Sequence, residues 1–287
     1  MNKELIAHLE YLLCTKIQKT RAISGGDISK AYLLETDGEH FFCKINSETY
    51  AQRMFQEEKL GLEAIASTKT IKTPKVLLYE PLEKGALLLM EYISQKKADK
   101  FDMKHLGHQL AMLHELSESN TFGWKTDNFI GSLPQSNISN TDWNLFFAKE
   151  RILPQLRLAR DKNRLLPIEI PSESQWLKLF ENYFPEVVPS LLHGDLWSGN
   201  YVISTDSTPY LIDPSVYYGH HEVDLAMTRL FGGFDTNFYE AYHDIIPKEN
   251  GVSIRMDLYQ LYYLLVHLNL FGNSYYYQVL ETLKRYF

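Results

Sequence analysis

Residues 191–202, LLHGDLWSGNYV, set an imidazole, a carboxylate, an indole, a hydroxyl and an amide between two aliphatic ends. A second short apolar run, PYLIDPS at 209–215, carries another acid near its end. Polar residues bracketed in this way suit a turn between strands, with Asp195 as an Asx-turn and Gly199 at positive φ. They also suit phosphoryl transfer, where a positioned proton acceptor and oxygen ligands for a cation must meet at one phosphorus. Spacing separates the two readings. Asp195 stands two residues after His193, and Asn200 stands five after Asp195.

That interval matches the catalytic loop of protein kinases, in which His-Arg-Asp is followed by four residues and Asn. There the aspartate accepts the proton of the attacking hydroxyl and the asparagine holds a metal ion. Asp213 closes the predicted hairpin YVISTDSTPYLID (201–213), where kinases place their metal-binding aspartate. Either acid alone suits a strand end. Both acids and the amide together point to a kinase, with Asp195 as base and Asn200 and Asp213 as magnesium ligands. Protein kinases continue with Phe-Gly and a long activation loop, whereas Asp213 is followed by Pro214 and soon by the helical pattern HEVDLAMTRLF. Pro214 restricts the residue before it. A preassembled metal site without a phosphorylation switch is therefore expected.

A kinase needs a nucleotide clamp, and the first half supplies candidates. AISGGDISKAYLLET, a turn at Asp37-Gly38 and HFFCKI read as an antiparallel meander. Lys44 lies in its last strand, placed for the phosphates. Gly25 and Gly26 mark the first turn, where backbone N–H groups can cradle phosphate; Gly-Gly is equally an ordinary hairpin signal, and G-x-G-x-x-G is absent. The helix over 47–68, with Ser47 as N-cap, carries Glu57 and Glu58. Glu58 is the expected partner of Lys44, because Phe55, Leu62 and Ile65 make a core-facing stripe and Glu58 lies one turn from the first two. GALLLMEYI then reads as a buried strand leading to a hinge, with the backbone of Glu91, Tyr92 and Ile93 offered to adenine.

The remaining pattern gives an amphipathic opening helix on Leu5, Ile6, Leu9, Leu12 and Leu13, a strand at PKVLLYE and a helix at 103–117. A polar loop is expected over about 120–140. A helical stretch over 141–160 should be kinked or broken by Pro154, and helices should run from 221 to the end. The fold class is α+β. Residues 1–93 form a small lobe of antiparallel sheet and helix, and 94–287 form a larger, mostly helical lobe. The net charge of −7 disfavours a nucleic-acid partner. No apolar run reaches the roughly 18 residues that span a bilayer. The N-terminus mixes charges into its helix, unlike a signal peptide. Cys14 and Cys43 make neither a disulfide framework nor a zinc site, so a cytoplasmic protein is expected. The composition carries no signal of oligomeric state.

HGDLWSGN (193–200), DPSVYYGHHEVDLAMTRLFGGF (213–234), QRMFQEEKLGLEAIAST (52–68), FGWKTDNFIG (122–131), YHDIIP and YQLYYLLVHLNLFG carry a more specific resemblance. Over nearly its whole length the chain resembles the fructosamine, or ketosamine, kinases. These share the bilobal protein-kinase-like fold with aminoglycoside phosphotransferases and choline kinases. The resemblance implies ATP and Mg2+ as cofactors and a ketosamine acceptor, either a small molecule or a glycated lysine of a protein. It implies phosphorylation at the 3-hydroxyl, which yields an unstable phosphate and so promotes deglycation. It supports Glu58 as the Lys44 partner and implies that Asp224 ties down the catalytic loop beside His193. Some members carry a cysteine in the phosphate loop; here there is none, and Cys43 alternates away from Lys44 into the core. Ser215 stands where alanine is commoner.

Four further expectations concern the acceptor, a histidine pair and the aromatic tail. Trp197, lodged between base and metal ligand, is expected to wall the acceptor pocket. Glu222 or Asp224 is expected to favour a cationic amine. His220-His221 match no metal-ligand spacing, and the tyrosine-rich C-terminus reads as core. The alternatives are a kinase of another hydroxylated metabolite or an aminoglycoside, or a pseudokinase binding module, which the intact Lys44, Asp195, Asn200 and Asp213 disfavour.

Overall fold

Helix α1 (Lys3–Leu13) is capped by Asn2, whose side chain accepts the Leu5 N–H at 2.8 Å. It lays Leu9, fully buried, against a sheet. In the computed structural model, which describes residues 1–23, 28–117 and 119–287, that sheet has five strands. They are β1 (Lys19–Ile23), β2 (Lys30–Glu35), β3 (His40–Asn46), β4 (Val76–Pro81) and β5 (Ala86–Glu91), all antiparallel in the order β1-β2-β3-β5-β4. Helix α2 (Ala51–Ser67) connects β3 to β4. Strand alternation sends Phe41 and Cys43 toward α1, and Phe42 and Lys44 toward α2. Strand β5 is apolar on both faces because α1 and α2 cover opposite sides of the sheet. Ser47 does not cap α2. Asn46 Oδ1 accepts the Glu48 N–H at 2.9 Å and a turn intervenes, so the helix begins after Tyr50 with no side-chain cap.

The C-terminal region starts with β6 (Gln95–Lys96) and α3 (Lys100–Leu116), which has a capping box formed by Asp99 and Asp102. The stretch expected to be loop contains a hairpin, β7 (Asn128–Ile130) and β8 (Leu133–Gln135). Its amide side chains read as loop-forming, but they are buried and bonded to one another. Gln135 Nε2 donates to Asn128 Oδ1 at 2.8 Å, and Tyr262 O–H donates to Gln135 Oε1 at 2.6 Å. Helix α4 (Trp143–Phe146) runs through a π turn at 147–152 into α5 (Leu153–Asp161). The helical run continues through Pro154, but its α pattern gives way to the π turn over 147–152 directly before the proline, which sits in the first turn of α5.

Helix α6 (Glu173–Tyr183) precedes four short strands, β9 (Ser190–Leu192), β10 (Tyr201–Ser204), β11 (Pro209–Leu211) and β12 (Tyr217–Gly219). β10 pairs with β11 as the expected hairpin and with β6, while β12 pairs with β9. Helices α7 (Glu222–Leu230), α8 (Thr236–His243), α9 (Val252–Phe271) and α10 (Tyr276–Tyr286) complete the chain. α9 is buried nearly all round, with Tyr259, Tyr262 and Tyr263 in the core, as an aromatic core helix requires. No helix among the described residues is long and apolar enough to cross a membrane. The loop 193–200 therefore lies between β9 and β10, and Asp213 lies between β11 and β12.

Candidate active site

A cleft of about 1010 Å³ opens between the sheet and the helical region. On its sheet side, Lys44 Nζ reaches both oxygens of Glu58 at 2.9 Å and Asp213 Oδ1 at 2.7 Å. Burial opposes the charge on Lys44, but the two carboxylates outweigh it and raise its pKa. Burial likewise pushes Asp213 up, yet the Lys44 ammonium overrides it and holds the carboxyl below its ordinary range. Glu57 turns away and accepts from Thr126 Oγ1 at 2.7 Å.

Asp213 has φ 54°, although a residue before proline favours extended backbone. The flanking groups hold it there. The Ile212 N–H donates to the Asn200 carbonyl at 3.0 Å and the Ser215 N–H donates to the His193 carbonyl at 2.8 Å. The side chain faces the cleft and is 42% exposed.

On the opposite wall, every backbone N–H and carbonyl from His193 to Asp195 is hydrogen-bonded. The His193 N–H donates to Asp224 Oδ2 at 2.7 Å, and the Gly194 N–H donates to Asp224 Oδ1 at 2.9 Å. Tyr263 O–H donates to the Gly194 carbonyl at 3.0 Å, and the Asp195 N–H donates to His193 Nδ1 at 3.2 Å. His193 Nε2 is thereby the donor to the Ile212 carbonyl, at 2.9 Å. Gly194, not Gly199, takes the positive φ, at 84°. A Cβ there would stand 2.1 Å from the Ser215 carbonyl oxygen, so only glycine lets the two segments close.

Asp195 lines the cleft with no cation bonded to it among the described residues. Burial pushes its carboxyl up to about 7, and the charges of Asp213 and Asp224 push the same way, against the Asn200 amide. Asn200 Nδ2 donates to the Asp195 carbonyl at 2.8 Å and to Asp195 Oδ2 at 3.3 Å. Asn200 Oδ1 accepts no hydrogen bond among the described residues, and with Asp213 it gives the cleft two hard oxygen donors. No group of three carboxylate, histidine or cysteine side chains suited to a metal occurs among the described residues.

Glu91, Tyr92 and Ile93 border the cleft, but the first two N–H groups are already used. Glu91 N–H donates to the Lys75 carbonyl at 3.0 Å, and Tyr92 N–H to the His40 carbonyl at 3.3 Å. Only the Ile93 N–H stays open among the three. Gly25 and Gly26 lie outside the described residues. Trp197 is 36% exposed at the cleft and folds its ring over Gly199, where a Cβ would come within 2.3 Å of it. Phe231, His267, Phe271 and Tyr275 continue this aromatic wall.

The acids expected to meet a cationic amine do not reach the cleft. Glu222 is buried against Arg255 at 2.6 and 2.7 Å, and Asp224 is fully buried under the loop. His220 and His221 bond Tyr259 O–H at 2.7 Å and Tyr242 O–H at 3.0 Å. Cys43 lies in the core, and burial pushes its thiol up to about 12; Cys14 is exposed. Ser215 is buried and donates to the Phe129 carbonyl at 2.7 Å. The sequence reading did not anticipate His114 or Tyr263. Both sit on apolar helix faces, where periodicity reads them as core, and only their contact with the loop distinguishes them.

The model of the fructosamine kinase family matches residues 1–287. A probable ketoamine kinase of Synechocystis is 41% identical, covering 94% of this chain and 90% of its own. The ketosamine-3-kinase of Mus musculus is 36% identical, covering 91% and 93%. The crystal structure of a putative fructosamine-3-kinase from Haemophilus somnus superposes with a TM-score of 0.86 at 27% identity, covering 98% of this chain and 96% of that one. The aminoglycoside phosphotransferase APH(4)-Ia, in complex with AMP-PNP and hygromycin B, gives 0.68 at 16% identity over 99% and 98%, a likeness of fold, which is protein-kinase-like. The chain belongs to the fructosamine kinase family and is an ATP-dependent phosphotransferase.

Proposed function

We propose that this protein phosphorylates the 3-hydroxyl of ketosamines and so promotes deglycation. The nucleotide is held between residues 1–93 and 94–287, with its adenine at the Ile93 N–H. Lys44, ordered by Glu58, moves from Asp213 to the phosphates, and this frees Asp213 for the cation. Asn200 Oδ1 and the Asp213 carboxylate would hold magnesium, which when bound would offset charge on the transferring phosphate. Asp195 accepts the proton of the sugar hydroxyl as its oxygen attacks the γ-phosphorus. The bond to the β-phosphate oxygen breaks, and ADP leaves. A carboxyl near 7 suits this task, because a base works best when its pKa lies near the working pH. The observation that carries the reading is this pairing in one cleft of a poised Asp195 with a Lys44-held Asp213.

The acceptor lies against the aromatic wall. Trp197 offers its flat face to the C–H side of a sugar, and the ring cluster receives the protonated amine through cation–π contact in place of an acid. The test is a comparison of kcat/KM for a lysine ketosamine, the free ketose and an aminoglycoside, with the phosphorylated position read by NMR. A ketosamine preference of about 10²-fold or more is expected, since a site built for particular polar groups rejects analogues lacking them. Trp197→Ala should raise the acceptor KM and spare that of ATP. Equal turnover of free sugar and conjugate contradicts the ketosamine reading and leaves the kinase assignment intact.

A further inference from the structure

The Asp224 carboxylate takes a third donor that the catalytic loop does not supply. His114, on α3 and fully enclosed, places Nε2 at 3.1 Å from Asp224 Oδ2, the same oxygen that receives the His193 N–H. The other ring nitrogen, Nδ1, lies 2.7 Å from the Tyr242 hydroxyl on α8, and Tyr242 lies 3.0 Å from His221 Nδ1. An ionised carboxylate only accepts, so His114 Nε2 donates whichever charge the ring carries. Burial works to raise Asp224, but the His114 donor comes first among the contacts that outweigh it, and the carboxyl is held below its ordinary value. Without that donor, a fully buried anion would keep, among the described residues, only the two loop N–H groups it is meant to hold.

We propose that His114 is a positioning residue for the catalytic loop. It fixes the Asp224 carboxylate so that its two oxygens meet the successive N–H groups of His193 and Gly194, and thereby sets where Asp195 stands. Tyr242 in turn fixes the His114 ring, which couples α8 to the loop. Helices α3 and α8 pack closely along their lengths. The chain of contacts therefore runs through one closely packed pair of helices. This role rests on Asp195 being the base.

The test uses the full chain and three substitutions. His114→Leu keeps bulk and removes the donor, His114→Gln keeps a donor at the position of Nε2, and Tyr242→Phe removes one hydroxyl from an otherwise unchanged ring. The expected result is a kcat lower by about 10–100-fold in His114→Leu, with the KM for ATP and the affinity for ADP within about two-fold of wild type. His114→Gln should recover most of the loss, and Tyr242→Phe should lower kcat by about 3–10-fold. If His114→Leu does not fold, Tyr242→Phe alone decides, and unchanged turnover in it overturns the proposal. The proposal is also overturned if Gln fares no better than Leu, or if nucleotide affinity falls together with kcat. Asp195→Asn run alongside separates the two claims. An active Asp195→Asn sinks the base assignment and this role with it, whereas an inactive one beside a fully active His114→Leu sinks the positioning role alone.

Discussion

Asp195 and Asp213 share one cleft, follow short strands of two different sheets, β9 and β11, and differ in their electrostatic surroundings. Asp213 touches the Lys44 ammonium at 2.7 Å and stays below its ordinary range. Asp195 is pushed up to about 7 by burial first and then by two other carboxylates, with no cation bonded to it among the described residues. The same side chain is thus held as a permanent anion at one position and as a proton acceptor at the other, and neighbours alone make the difference. The grip on the backbone differs too. Around Asp195 the Asp224 carboxylate and Tyr263 hydroxyl hold the loop from the helical core. Asp213 is held in left-handed backbone by bonds between its neighbours and that same loop.

The largest effect should come from the acceptor side. Asp195→Asn should cut kcat by about 10²–10⁴-fold while ADP binding persists, as loss of a general base does; near wild-type turnover would reverse the roles given to the two aspartates. On the other side, Lys44→Met removes the cation that separates Glu58 from Asp213. It should lower kcat/KM for ATP by about 10–100-fold through the lost charge-assisted phosphate contact. Cys43→Ala, one residue away on the opposite face, should leave both constants unchanged. An equal loss in the two variants would show that strand packing, not the ammonium, is what matters.

Much of this contrast was legible in the sequence. The intervals linking His193, Asp195 and Asn200, and the predicted hairpin ending at Asp213, place the loop residues without reference to packing. Strand alternation puts Lys44 and Cys43 on opposite faces, and the helix stripe selects Glu58 over Glu57. What was not legible depends on contacts across the fold. Glu222 looks like an exposed acid at a helix start, but Arg255 buries it, whereas the bond from Asp224 to the loop N–H groups is the one the resemblance implied. Asn128 and Gln135 look like loop residues, yet they bond each other in the core. The committed N–H groups of Glu91 and Tyr92 follow from partners at Lys75 and His40, which no local pattern shows.

Two smaller effects sharpen the comparison. The acceptor kcat/KM at saturating nucleotide should show an acidic limb well above 3.8, falling about ten-fold per pH unit below it as Asp195 takes up a proton. A profile flat from pH 5 to 8 would place the base elsewhere. The second effect is on stability. A carboxyl whose pKa rises on folding holds its proton more tightly in the folded chain. Asp195 therefore weakens the fold as pH climbs from its ordinary 3.8 through about 7. Asp195→Asn should raise Tm by a few degrees at pH 8, with the gain shrinking as the pH falls toward 4, whereas Asp213→Asn should lower Tm at pH 8. Equal Tm changes at pH 4 and pH 8 in Asp195→Asn would deny the shift.

The most direct measurement is a carboxyl 13C NMR titration of the ligand-free protein labelled at aspartate. One resonance should titrate near 7 and vanish in Asp195→Asn, while the resonance lost in Asp213→Asn should stay ionised to below 4. If every aspartate of the folded protein titrates below 5, or if the high value belongs to Asp213, the division of labour between the two acids is contradicted.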